Sequence, residues 1–548
     1  MDDKLTSPKE PQSLSNGKKH GGWRTFPFFI GTVAGLSLAS AGIVGNLIVY
    51  LIKEFNIKSI DAAQIVNVVV GSSNLVPLVT AVVADSFFGS FSVAFASSCV
   101  SLLGTVTLFL TATINSLKPH PCNDSSSTCK PPTKIQYTVL YISIVLISIG
   151  FGGSRFTSAS LGANQFDKPE HQGIFFNWFF FAFYVASCVA LTGVIYIEDN
   201  FGWALGFGVC AVATFLGVVV FLSGYGFYRN DKPNGSAVLD LGRVFVASLR
   251  KRKWKNSSIM EDYYTGATGY DDIVQILPPT KPGKRLRFFN RAALITDADL
   301  NSDNTIKKSS WRLCTVQQVE DFKKIIGILP LWTSSIFLAT PIAIQSSLTV
   351  LQALVMDRSL GSHFKIPAGS VSVIILISTA IFLTFLDRVI LPGWHKVTGK
   401  SPTPLQRIGV GHVLNVLGMV VSALVESKRL KLGHEHVSMS VLWLFPQLVL
   451  VGVGEAFHFP GQVTFYYQQF PQSLRSTSTA MISTLIGIAF YLSTALIDQV
   501  RRCTEWLPDD INHGKVDNVY WMCVLFGGIN FVYYLICSIS YKYEYENV

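Results

Sequence analysis

The chain has 548 residues, of which only 14% are charged and 49% are hydrophobic, and its mean hydropathy is +0.39. An ordinary soluble domain carries about 25% charged residues, so the composition excludes a soluble globular protein of this length. The net charge is +10, but many of the basic residues lie in one long polar stretch beside apolar segments. That location favours contact with anionic lipid headgroups of a bilayer, and we expect no nucleic-acid partner.

Apolar residues come in long blocks that alternate with short polar segments. An α-helix needs about 20 apolar residues to cross roughly 30 Å of hydrocarbon. Because the bilayer core offers no water to backbone groups, each block must form its own hydrogen bonds and is therefore a helix. The sequence predicts twelve transmembrane helices, at 27–52, 62–84, 90–115, 135–156, 175–197, 203–227, 325–347, 368–391, 407–425, 439–467, 477–498 and 519–541.

The fold class that follows is an all-α polytopic membrane protein with two six-helix bundles. The predicted order along the chain is a cytosolic tail, a first bundle, a cytosolic connector, a second bundle and a short cytosolic tail, at 1–26, 27–227, 228–324, 325–541 and 542–548. Within the connector, residues 237–254 are predicted to form an amphipathic helix with a basic end that lies on the membrane surface.

The orientation follows from the distribution of Lys and Arg. An even number of spans places both termini on one side, and a modest excess of basic residues favours the cytosol for that side. This orientation places the polar loop after the third helix outside the cell. The loop contains Cys122 and Cys129, which are candidates for a disulfide, and Asn123, which begins a glycosylation acceptor triplet.

The two halves of the chain resemble each other at one junction. The second and third predicted helices are joined by a segment that contains Asp85 and Gly89. The eighth and ninth are joined by Asp387, Arg388 and the run 392–400. Both junctions follow the second helix of their half, on the cytosolic side. This pattern is typical of two six-helix repeats that rock about a central site.

Few ionisable residues fall at membrane depth, where each is costly and is therefore a functional hypothesis. Arg155 is expected at the end of the fourth helix and Glu455 in the middle of the tenth. A pair across the central cavity would act as a gate if it formed in only one transport state. The alternatives are a structural salt bridge, or an Arg155 side chain that reaches the headgroups.

His458 follows Glu455 by three residues and is expected on the same helical face. It could bind an anion or sense pH when protonated, or simply donate a hydrogen bond to a neighbouring helix. Glycine clusters at 150–153 and 452–454 lack the strand–turn–helix context of a nucleotide loop, and close helix packing is the expected use. The sequence contains no pattern for a metal site, a cofactor or an enzymatic nucleophile, so we expect a protein that is not an enzyme.

Several short segments resemble the plant nitrate/peptide transporter family, which belongs to the proton-coupled oligopeptide transporters and the major facilitator superfamily. The likeness runs from about residue 21 to 541 in matching order and is carried by the segments 21–24, 84–89, 162–167, 175–178, 356–359, 404–407 and 454–457. The resemblance implies the major facilitator fold, with alternating access around a central cavity between the two bundles.

The departures from the family pattern concern the groups that carry protons. Proton-coupled members have Glu-x-x-Glu-Arg on the first helix, whereas those positions here are Val33, Leu36 and Ser37. The family's fourth-helix lysine falls on Arg155, and its tenth-helix glutamate is retained as Glu455. A seventh-helix histidine that contacts nitrate in some members falls on Ile342.

The missing glutamates make the first helix similar to that of the family's nitrate-excretion branch. The resemblance therefore implies a plasma-membrane carrier that moves nitrate, or alternatively chloride, out of the cell without proton coupling. Two alternatives stay open: a proton-linked transporter of a larger organic substrate such as a glucosinolate, hormone or peptide, and a nitrate sensor with little transport. A regulatory kinase is an expected partner of the cytosolic connector.

Overall fold

The structure is a computed structural model that describes residues 21–119, 132–229, 237–255, 257, 259, 262–266, 282–301, 311–362, 364–470 and 478–541. Cys122, Cys129 and Asn123 lie outside the described residues, so the predicted disulfide and glycosylation site stay predictions. The same holds for most of the two tails.

The described residues contain twelve helices that are long and apolar enough to cross a membrane, which confirms the predicted all-α class. They are Gly22–Lys53, Ser59–Phe88, Ser90–Thr113, Lys134–Ala163, His171–Asn200, Trp203–Phe227, Val316–Val355, Gly369–Thr398, Pro404–His434, Val441–Gln469, Ala480–Cys503 and Val516–Ser540. We number these spans one to twelve in chain order. The side of the membrane where the first span begins is called the terminal side, and the opposite side is called the far side.

Three spans begin with the same local signal, a threonine followed three residues later by glutamine. Thr133, Thr315 and Thr403 each accept a hydrogen bond from the glutamine backbone, and each threonine backbone N–H donates in return to the glutamine side chain. This reciprocal capping satisfies amide groups that the first helical turn leaves free. It fixes the starts of the fourth, seventh and ninth spans.

Several spans are longer than the apolar blocks that predicted them. The fourth was expected over 135–156 and runs over Lys134–Ala163, and the ninth was expected over 407–425 and runs over Pro404–His434. Polar residues continue these helices because they are paired inside the protein. In the ninth span, Arg429 donates to both oxygens of Glu426 at 2.7 and 2.8 Å, so the hydropathy pattern ends before the helix does.

The glycine clusters bring neighbouring helices into close contact, as expected. A Cβ atom added at Gly152 would lie 2.4 Å from the backbone oxygen of Ser73 in the second span. A Cβ added at Gly452 would lie 2.7 Å from the backbone oxygen of Ile375 in the eighth span. Because only glycine fits at these contacts, the fourth and tenth spans are held at fixed positions against their neighbours.

Contacts between the two bundles close the far side. Arg501 of the eleventh span pairs with Asp61 of the second span and, at 2.6 Å, with Asp509. Asp199 at the end of the fifth span pairs with Lys53 at 2.8 Å, and Arg358 of the second bundle approaches the same carboxylate at 3.7 Å. Arg358 precedes a short antiparallel hairpin, Ser359–Leu360 with Phe364–Lys365.

The packing continues from the far side toward the middle of the membrane. A Cβ added at Gly369 of the eighth span would lie 2.5 Å from the backbone oxygen of Gly45 in the first span. Ser483 of the eleventh span donates a hydrogen bond of 3.0 Å to Asn74 in the middle of the second. The two bundles therefore meet along the far half of the second span and along most of the eleventh span.

The connector contains a helix over Ala237–Arg250, shorter than the predicted 237–254. The face of this helix that carries Val244 and Ala247 packs against the protein, and the position of the helix on the membrane surface stays a prediction. Both residues are fully buried in a cluster with Ala292, Ala293 and Val319. The apolar face is satisfied by the rest of the connector and by the start of the seventh span, because these segments supply a small hydrophobic core of their own.

A buried ion pair fixes this connector core. Lys251 is fully buried and lies 2.8 Å from Asp299, which also accepts a hydrogen bond of 2.6 Å from the Thr296 hydroxyl. Burial alone would raise the pKa of the Asp299 carboxyl, but the hydrogen bonds from Lys251 and Thr296 hold that pKa below its usual value. Asp299 is therefore ionised at neutral pH and ties the end of the connector helix to the segment before the seventh span.

The two repeat junctions share an unusual helical turn. The second span ends in a π-helical turn over Ala84–Phe88, and the eighth contains one over Leu386–Ile390. After the first, Gly89 has a positive φ of 77° and the chain turns directly into the third span. After the second, the helix continues to Thr398, so most of the run 392–400, which was predicted to join the eighth and ninth helices, is itself helical.

Candidate functional site

A cavity of about 310 Å³ lies inside the first bundle, where the first, second, fourth and fifth spans face the second bundle. Leu376 of the eighth span also contributes to its wall. Its described lining combines apolar side chains with a set of small polar ones and a single charged residue. The polar and charged lining residues are Thr32, Ser37, Ser40, Ser73, Asn74, Ser154, Arg155, Ser158 and Ser187.

Arg155 provides the positive charge of the cavity. Arg155 was expected at the end of the fourth span. That span continues to Ala163, so Arg155 lies inside the membrane-spanning helix. Its guanidinium carbon lies 3.8 Å from the centre of the Phe183 ring and 5.2 Å from that of Phe156. Such a cation–π contact stabilises a desolvated guanidinium by about 2 kcal/mol, which helps to hold a charge at this depth.

The guanidinium keeps its hydrogen-bonding capacity. An arginine side chain has five N–H donors in a fixed planar arrangement. Within the described residues, no carboxylate lies within 4.0 Å of Arg155 and no group accepts a hydrogen bond from it. No Asp or Glu is among the described residues that line the cavity. The cavity therefore presents a cation with unused donors and no competing negative charge from that lining.

The three first-helix positions that lack titratable groups all line this cavity. Val33, Leu36 and Ser37 lie on its wall together with Thr32 and Ser40. The wall that these first-helix positions form is therefore apolar and hydroxylic. The structure brings Ser37 and Arg155, both predicted site residues, to one cavity.

Glu455 lies outside the lining of the cavity. It is half-buried on the tenth span and accepts a long hydrogen bond of 3.4 Å from Thr379 of the eighth. The predicted pair with Arg155 is not formed in this state. Tyr184 of the fifth span interacts electrostatically with both residues, so it lies near both predicted gate groups, whose pairing in another state stays a prediction.

His458 does not share the surroundings of Glu455. It is 6% exposed and packs on the ninth span, where a Cβ added at Gly411 would lie 2.5 Å from the His458 Cβ. Neither ring nitrogen has a hydrogen-bond partner within the described part of the chain. The two side chains contact different neighbouring helices, and His458 is not among the residues that line the cavity. Its role in anion binding or pH sensing stays a prediction.

Ile342 and the junction residues also lie away from the cavity. Ile342 is half-buried and packs against the main hydrophobic core. Asp85, Asp387 and Arg388 are exposed at the terminal side, and Asp387 interacts electrostatically with Arg407 at the start of the ninth span. These residues belong to the junctions of the repeats and not to the cavity.

Two buried polar groups escaped the sequence analysis because the predicted spans were too short. Glu198 is 2% exposed at the far end of the fifth span and accepts a hydrogen bond of 2.9 Å from Asn46. Glu426 is fully buried in the ninth span with Arg429. The cavity serines other than Ser37 were missed for another reason, since a serine within an apolar block carries no signal of its own. In the described residues, no group of three or more His, Cys, Asp or Glu could hold a metal ion.

The protein has twelve spans in two repeats, a far side closed by contacts between the bundles, and a polar cavity at membrane depth. These features define a secondary transporter of the major facilitator type. The comparisons with known proteins give the family. The family model described as "POT family" matches residues 91–515, and the chain belongs to this family.

Individual relatives agree with that assignment. The chain is 53% identical to "Protein NRT1/ PTR FAMILY 2.6" of Arabidopsis thaliana over 538 residues, which cover 97% of this chain and 94% of the relative. It is 51% identical to "Protein NRT1/ PTR FAMILY 2.3" of the same plant, with 98% and 96% covered. A solved structure described as an auto-inhibited POT family peptide transporter superposes with a TM-score of 0.69 at 14% identity, and the match covers 96% of this chain and 98% of that one.

Proposed function

We propose that this protein carries a monovalent inorganic anion, with nitrate as the first candidate and chloride as the second, by alternating access and without proton coupling. The observation that carries the proposal is the state of Arg155. A guanidinium with unused donors, in a cavity whose described lining contains no carboxylate, matches an oxyanion in charge and in geometry. Family members are transporters and not enzymes, so the anion is a cargo and not a reactant.

The absence of proton coupling is inferred from the first span. A proton-driven cycle needs a group that binds and releases a proton while it faces the cavity. Val33, Leu36 and Ser37 cannot do this, and an arginine such as Arg155 is not deprotonated in proteins. Glu455 could exchange protons only through a rearrangement that brings it to the cavity. The resemblance of the first helix to the nitrate-excretion branch supports the same conclusion.

The proposed direction is out of the cell, through the plasma membrane. With the termini in the cytosol, as the basic residues favour, the far side is the extracellular side and the present state is closed to the outside. An uncoupled carrier follows the electrochemical gradient, and the membrane potential contributes about 2.3 kcal/mol per charge per 100 mV. Because the cytosol is negative, that potential drives a monovalent anion outward. A regulatory kinase that acts on the connector remains part of this proposal.

A second candidate is a larger organic substrate, such as a glucosinolate, hormone or peptide, that is moved together with protons. The volume of the cavity, about 310 Å³, favours it, because ligand pockets for organic molecules begin at roughly 300 Å³. One POT family transporter of known structure, 13% identical to this chain, is described in complex with 5-aminolevulinic acid. Glu455 would then be the proton-binding group.

The experiment that separates these functions is anion efflux from proteoliposomes that contain the purified protein. The pH is equal on both sides, and a potassium gradient with valinomycin sets the voltage. We expect nitrate efflux that follows the voltage and needs no pH gradient. Transport of an organic substrate that requires a pH gradient would support the second candidate. Measurable nitrate binding without flux would favour a sensor.

A further inference from the structure

The cavity serines fall into two groups according to what their hydroxyls do. Ser154 and Ser187 donate to carbonyl groups of their own helices, at 3.4 and 2.8 Å. Such back-bonding is the usual solution for serine in a helix. The hydroxyls of Ser37, Ser40, Ser73 and Ser158 have no hydrogen-bond partner within the described part of the chain. These four hydroxyls are therefore available to bind a ligand.

Ser158 is the most informative of them. It is 3% exposed, and its hydroxyl is buried without a partner among the described residues. Leaving a buried polar group unsatisfied is unfavourable, which argues that the hydroxyl has a partner at some stage of the transport cycle. Ser158 follows Arg155 by three residues, so both lie on the same face of the fourth span, and both line the cavity.

Ser37 adds a donor from a second element. It lies on the first span, is 5% exposed and lines the same cavity. A hydroxyl can rotate among staggered positions and donate in any of them. Ser37 and Ser158 therefore offer two movable donors from different helices, beside the rigid planar donors of Arg155.

We propose that Ser158 and Ser37 complete an oxyanion subsite around Arg155 and make it selective for an anion with three oxygens. The inference rests on the proposed function and deepens it. A guanidinium engages two oxygens of an oxyanion with two parallel N–H donors. A carboxylate has only these two oxygens, whereas nitrate has a third oxygen that points away from the guanidinium and can accept from another donor. The serine hydroxyls supply that donor, and chloride, a sphere without directional acceptors, gains less from them.

The test compares anion binding by the purified full-length protein and its serine variants. Nitrate, chloride and acetate are titrated against the wild type, Ser158→Ala and Ser37→Ala. Ser158→Thr keeps a hydroxyl at the position. Ser148→Ala is the matched control, because Ser148 lies on the same span, is buried, donates to Ile144 at 2.9 Å and does not line the cavity.

We expect Ser158→Ala to weaken nitrate binding roughly tenfold, which corresponds to about 1.4 kcal/mol, and to change chloride and acetate binding less than twofold. Ser37→Ala should act in the same direction, because it removes the second hydroxyl donor from the cavity. Ser158→Thr should restore most of the nitrate affinity, and Ser148→Ala should change the binding of none of the three anions.

The outcomes that overturn the subsite are distinct from those that overturn the proposed function. Equal losses for all three anions in Ser158→Ala, or no loss for any, would reject selection by the hydroxyl while leaving the anion carrier intact. A wild-type protein that binds acetate but neither nitrate nor chloride would reject the proposed function, and the subsite with it.

Discussion

The charge of Arg155 is the feature on which anion binding depends most directly, and Arg155→Gln removes it with little change in size. In the wild type, the empty guanidinium rests on the Phe183 ring at 3.8 Å. An incoming anion therefore gains the attraction of the charge but has to compete with the ring. The glutamine variant offers the anion neither the charge nor the planar pair of donors.

The magnitude follows from these two contributions. A unit charge about 4 Å from the anion is worth about 4 kcal/mol at an effective dielectric constant of about 20. The cation–π contact that stabilises the empty wild-type site offsets about 2 kcal/mol of this. The net loss of about 2 kcal/mol predicts nitrate binding about thirtyfold weaker in Arg155→Gln. Arg155→Lys keeps the charge but loses the planar donors, so we expect a smaller loss.

The assay is nitrate binding by the purified protein together with nitrate efflux from proteoliposomes at equal pH. Arg502→Gln is the control for the substitution itself, because Arg502 is 74% exposed at the far end of the eleventh span and pairs with Asp498 at 2.8 Å. The control should bind nitrate like the wild type. Arg155→Gln protein that inserts normally and keeps its nitrate affinity within twofold of the wild type would remove Arg155 from the site.

Three further predictions concern the scaffold. Arg501→Ala removes the Arg501–Asp61 ion pair between the two bundles, which is worth about 0.2–1 kcal/mol at a partly exposed position. The population of molecules in which spin labels on the far ends of the two bundles are well separated should increase severalfold, and an unchanged distance distribution would show that this ion pair does not hold the far side closed. Gly152→Ala places a methyl group 2.4 Å from a backbone oxygen and should lower the free energy of thermal unfolding by about 1–3 kcal/mol. In the control Gly173→Ala, the added Cβ has no atom within 4 Å, and stability should not change. The pKa of Asp299 is lowered, so its ionised carboxylate stabilises the folded protein above about pH 4, and this stabilisation is lost as the pH falls through the folded-state pKa. Asp299→Asn should lower the melting temperature at pH 7. The melting temperature of this variant should also decrease less in acid than that of the wild type.

The class of the protein and the number of its spans could be predicted from the sequence because crossing a bilayer imposes a requirement on every residue of a span. About twenty apolar residues and a helical backbone are needed regardless of what surrounds them. The ends of the spans could not be predicted in this way. Glu426 and Arg429 continue the ninth helix because they satisfy each other inside the protein, and pairing of this kind is invisible to a hydropathy pattern.

The residues of the candidate site also differ in whether the sequence or only the structure identifies them. The sequence by itself singled out Arg155 and Glu455, because a charge within an apolar block is conspicuous. The resemblance to the family drew attention to the first helix, which lacks the glutamates of the family pattern. Only the tertiary structure decided which of these residues share a cavity. Arg155 and Ser37 do, whereas Glu455, His458 and Ile342 lie outside its lining. The direction in which a side chain points depends on how helices are rotated and packed against each other. That packing depends on which helices the glycine contacts bring together, and the sequence around a glycine cluster does not record the partner helix.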